Sequence, residues 1–110
     1  MTEPAAAEAK AERPVFILMV EVGRAAEDGL PEGATGAALV CYTAARDEKA
    51  AVDETVAVLR DAGLAPLEVE SWGTRDAPEG PVDTEADAEL LDRAAAENAV
   101  IVAHLTTFSD

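Results

Sequence analysis

A chain of 110 residues with 8 Lys plus Arg against 23 Asp plus Glu, a formal charge of −15, is the size of one domain. Residues 1–13 carry only −1 of that charge, so the rest belongs to the folded part. Such a field repels phosphate backbones and anionic lipid, and the Lys and Arg after residue 13 are scattered singly, which argues against nucleic-acid binding.

Residues 1–13 are rich in Ala and Glu without an apolar stripe, and are expected to form a mobile, disordered tail ahead of a single α+β domain over 14–110. There is no apolar core of a secretory signal in this stretch, and no apolar run approaches the roughly 20 residues of a membrane helix. A lone Cys41 excludes an intrachain disulfide and a zinc-type cluster. The expectation is a cytoplasmic protein that neither crosses nor binds a membrane.

Val15 to Val22 is almost continuously apolar and β-branched, the pattern of a strand buried on both faces. A glycine-rich connection over 23–36 leads to a second strand, Ala37 to Thr43. Asp47 is placed to cap a helix whose Ala51, Val52, Val56, Leu59 and Ala62 keep helical spacing, and Gly63 and Pro66 are placed to stop it. Leu67 to Trp72 alternates, with Glu68, Glu70 and Trp72 on one side, as expected of a strand at a sheet edge. Asp83 or Thr84 opens a second helix carrying Leu90, Leu91, Ala94 and Ala95, with Asp87 near its positive end and Asn98 as its stop. Ala99 to Phe108 is the last strand.

The order β-β-α-β-α-β predicts an α+β two-layer sandwich: a four-stranded sheet with two helices on one face, ferredoxin-like in general architecture. Both helix-containing connections are expected to be right-handed βαβ crossovers. With both helices on one face, the other would stay open and apolar, because the first and last strands are apolar on both sides. Val15, Ile17, Met19 and His104 are the candidate binding residues of that open face. A second copy, another protein, a small ligand or the 23–36 loop could cover it.

Motifs for chemistry are sparse. His104 is the only histidine, so every His-dependent mechanism rests on it. A Cys41–His104 dyad has no local support, and a Cys in an apolar strand has its thiolate disfavoured. Asp83 to Asp87 imitates the start of a calcium loop, but Ala88 and Ala94 stand where that loop needs Gly and Glu. Gly33 to Gly36 leads into a strand, whereas a phosphate loop leads into a helix. No metal or other cofactor is expected. The reading is a non-enzymatic interaction or binding module acting as a homodimer or on another protein, with a basic protein as a candidate. The alternative is a small enzyme or ligand-binding domain with a pocket near His104, Cys41 and Tyr42.

Overall fold

The computed structural model describes residues 13–26 and 28–109. They form β1 (Val15–Gly23), β2 (Ala34–Ala44), α1 (Glu48–Asp61), β3 (Ala65–Thr74), α2 (Ala88–Glu97) and β4 (Val100–Ser109). The result is the expected α+β sandwich in the β-β-α-β-α-β order, ferredoxin-like in general architecture. The tail expectation falls on residues 1–12, outside the described residues, except for Arg13, whose guanidinium donates to Asn98 Oδ1 at 3.2 Å.

The strands are arranged β3-β1-β2-β4, and every neighbouring pair is antiparallel. β1 and β2, the two most apolar segments, therefore occupy the centre, and β3 lies at an edge as its alternation predicts. From these pairings β2 and β3 run in the same direction with β1 between them, so β2-α1-β3 is a parallel crossover. β3 and β4 run in opposite directions at the two edges, so the second connection is not the parallel crossover expected from the sequence.

Local signals set the helix ends. Asp47 accepts from the Ala50 amide at 2.8 Å and caps α1. At the other end, Gly63 donates to Arg60 O and Leu64 to Leu59 O, both at 3.0 Å. This Schellman closure needs the left-handed backbone that Gly63 adopts at φ 90°. Asn98, also left-handed, ends α2.

The helices lie on opposite faces of the sheet, which corrects the expectation that both share one. Leu59 of α1 packs with Val20, Val22, Ala37, Leu39 and Cys41, and Ala51 packs with Leu18. Leu91 and Ala94 of α2 pack with Val15, Ile17, Tyr42 and Ala44, which point the other way from β1 and β2. The physical reason is the apolar character of the central strands on both sides. Each face must be removed from water, and one helix per face does this for a sheet whose β1 is buried from Val15 to Val22 at all but three positions.

The connection between β1 and β2 also contributes on the α1 side, where Leu30 packs against the cluster around Leu39. It is tied by Asp28, whose carboxylate accepts from the Ala25 and Leu30 amides and pairs with Arg24 at 3.0 Å. The Arg24 bond, then the two amides, lower the Asp28 pKa to about 2.

The candidate pocket around Asp87 and His104

α2 is short, and it covers only one half of its face. Val15 and Ile17, two of the four residues expected on an open apolar surface, are buried beneath it. Met19 is half-buried further along β1, in a groove with Glu21, Glu68 and Glu70. His104 is exposed on β4, opposite Val40 of β2. The face expected to be bare is thus partly closed by the chain's own helix, and only Met19 and His104 of the four belong to its open half.

At the N-terminal end of α2 this open half deepens into a cavity of about 410 Å³. Val40, Trp72, Pro81, Val82 and Ala86 supply apolar walls, and Asp83, Asp87, His104 and Thr106 supply polar groups. Two backbone features build the wall around Trp72. The loop after β3 turns back on it, with the Glu79 amide donating to Trp72 O at 2.8 Å. Gly80 lies so close that a Cβ there would stand 2.4 Å from the indole carbons, so no side chain fits. The indole N–H donates to Glu70 at 3.1 Å, along the acidic-aromatic side of β3 that the alternation predicts.

Asp87 is the centre of the site. It is the residue before α2, yet its side chain makes no bond to the helix amides. Its Oδ2 accepts from the hydroxyl of Tyr42, and His104 Nε2 lies 2.7 Å from the same oxygen. Asp83 takes over the local capping role, accepting from the Glu85 and Ala86 amides at 3.1 Å each. The Tyr42 bond first, and the His104 bond second, hold the Asp87 carboxyl below the usual carboxylate range against the opposing effect of burial. Burial, then the Asp87 bond and charge, push the Tyr42 pKa up. The arrangement is therefore an ionised carboxylate receiving a buried phenol and an exposed imidazole. In the neutral imidazole this bond places the proton on Nε2 and leaves Nδ1 with its lone pair.

The sequence reading assigned Asp87 to the helix dipole and missed this role. A signal was present: a tyrosine within an apolar central strand has a hydroxyl that must find a partner when buried. The sequence alone does not say which of the chain's many acids provides it.

Cys41 does not join the group. It points to the α1 side, in the cluster with Leu39 and Leu59, while Tyr42 and His104 belong to the α2 side. Burial pushes its thiol up to about 12. A thiol reagent near neutral pH is therefore expected to leave Cys41 unlabelled in the folded protein and to label it once urea unfolds the chain. Fast labelling under native conditions would contradict this burial. Among the described residues no group of three or more His, Cys, Asp or Glu side chains could hold a metal ion. No helix among them is long and apolar enough to cross a membrane.

A family model described as "Domain of unknown function (DUF8846)" matches residues 15–109. The chain belongs to this family. The match spans all six elements, from the first residue of β1 to the last of β4, so the family domain and the folded unit coincide. No curated protein and no solved structure matches the chain.

Proposed function

We propose that this member of the family is a non-enzymatic interaction module of the cytoplasm that works as a homodimer, joined through the outer edge of β4. The observation that supports it is the contrast between the two sheet edges. β3 carries Pro66, Glu68 and Glu70, a proline and two charges that discourage strand addition. β4 has no Pro and no Asp, Glu, Lys or Arg from Val100 to Ser109. Its only irregularities are the shifts at its two places in the β2 register. Val102, Leu105 and Phe108 are 43%, 49% and 40% exposed. In a chain of charge −15 this is the composition of an interior strand at a sheet edge.

Two antiparallel copies of β4 would form about ten main-chain hydrogen bonds along an edge of about 33 Å. They would join two four-stranded sheets into one and bring exposed Val102 and Leu105 of each copy against the other. Self-repulsion of two acidic chains opposes this, and salt screens it, so association tightens as ionic strength rises. The remaining acidic surface suits a basic protein partner.

The test is mass in solution. Light scattering at high protein concentration and moderate salt is expected to give twice the chain mass, and Leu105→Glu is expected to give a folded monomer. A monomeric native protein overturns the dimer, and a Leu105→Glu dimer overturns the β4 interface. A second reading, a ligand-binding domain, is favoured by the cavity at Asp87, which has a carboxylate, an imidazole and an indole on its walls. Of the three residues first associated with that reading, His104 and Tyr42 are joined through Asp87, and Cys41 is not part of it.

A further inference from the structure

The cavity at the N-terminal end of α2 has a polarity that selects among ligands. Its lining contains Asp83 and Asp87 and no Lys or Arg. Asp87 is held ionised, and its side chain is only 13% exposed. Both Tyr42 and His104 approach the same oxygen, Oδ2, and Oδ1 has no hydrogen-bond partner among the described residues. No buried side-chain oxygen among these residues lacks a partner, so Oδ1 is in reach of solvent. A nearly buried, ionised carboxylate thus keeps one oxygen free of protein donors and open toward the cavity side.

Around that oxygen the walls are apolar and aromatic: Val40, Trp72, Pro81, Val82 and Ala86. The −15 field of the chain draws cations toward it. We infer that this cavity binds a small organic ammonium ion, its charged head on Asp87 Oδ1 and Asp83 and its apolar body against Trp72 and Val82. A metal ion gains little from such walls, an anion is repelled by both carboxylates, and an ammonium on an apolar stem matches both halves of the lining. The inference is independent of the β4 dimer, and Leu105→Glu leaves it unchanged.

The single tryptophan and the single histidine of the chain both line the cavity, so two probes report on it without labels. Phenethylammonium and 3-phenylpropionate, similar in shape and opposite in charge, are titrated against the full chain. Trp72 fluorescence and the His104 ring resonances are followed. The ammonium is expected to produce saturable changes in both signals with a dissociation constant of about 1 mM or below. The carboxylate is expected to produce none. Asp87→Asn preserves the acceptor for Tyr42 while removing the charge, and is expected to weaken the ammonium about tenfold with a cooperative melt retained. Asp83→Asn, on the exposed turn, tests the same charge dependence without touching Tyr42. Equal or tighter binding of the carboxylate, no saturable change with the ammonium, or unchanged affinity in both variants would overturn the proposal.

Discussion

Ile17→Glu is expected to unfold the domain. Ile17 is fully buried between the centre of the sheet and α2, in contact with the cluster of Tyr42, Leu91 and Ala94. A carboxylate placed there has no cationic partner within that cluster, and an uncompensated buried charge costs roughly 3–5 kcal/mol. Loss of the packed side chain adds a cost of similar size. Together these are comparable to the whole stability of a small domain, about 5–15 kcal/mol. On the sequence reading of an open face, the same change would merely have altered association. Circular dichroism separates the two: loss of the folded signal is expected, and a folded Ile17→Glu protein would show that α2 does not cover this face. Met19→Glu is the internal control. Met19 is half-buried and lies opposite Glu70, so a glutamate there reaches water and adds like-charge repulsion of about 0.2–1 kcal/mol. This variant is expected to stay folded.

Leu59→Ala is expected to lower stability by about 2–5 kcal/mol, read as a shift of the urea midpoint with an unchanged slope. Leu59 is the largest buried side chain of α1, set among Val20, Val22, Leu39 and Cys41. Val56→Ala is expected to cost only about 1 kcal/mol, because Val56 is half-buried. The helical spacing in the sequence put Ala51, Val52, Val56 and Leu59 together on the inner face. Of the expected stripe Ala51 and Leu59 are buried, Val52 packs at their margin, and Thr55 takes the third buried position. The stripe is rotated because Thr55, polar by type, meets Thr43 of β2 with the two hydroxyl oxygens 2.6 Å apart. That bond satisfies both groups and lets a threonine occupy the buried position. A larger loss for Val56→Ala than for Leu59→Ala would restore the sequence assignment.

The Asp87 site shows the same division. Tyr42, Asp87 and His104 lie on three different elements, and their approach depends on α2 crossing from the β3 edge to the β4 edge over the face that α1 leaves free. Within 110 residues there are 23 acids, so proximity to a buried tyrosine is not a property that any local window contains. The exposure of β4 has a similar origin. Its composition resembles that of β1 and β2, and only the strand order places it at an edge.

Element type and order, and three of the four helix ends, follow from the sequence because their causes are local; the start of α2 does not, since Asp83 and Thr84 lie in the turn ahead of Ala88. Asp47, Gly63 and Asn98 act on the backbone within a few residues of themselves, and the alternation of Leu67 to Trp72 marks β3 as half-exposed wherever it pairs. The apolar share of β1 marks it as central for the same reason. The side of the sheet on which each helix sits, the pairing of β4 with β2, and the meeting of Tyr42, Asp87 and His104 were decided by tertiary structure. They depend on long-range choices between faces and edges of similar apolar character, and on a sheet that needed cover on both sides.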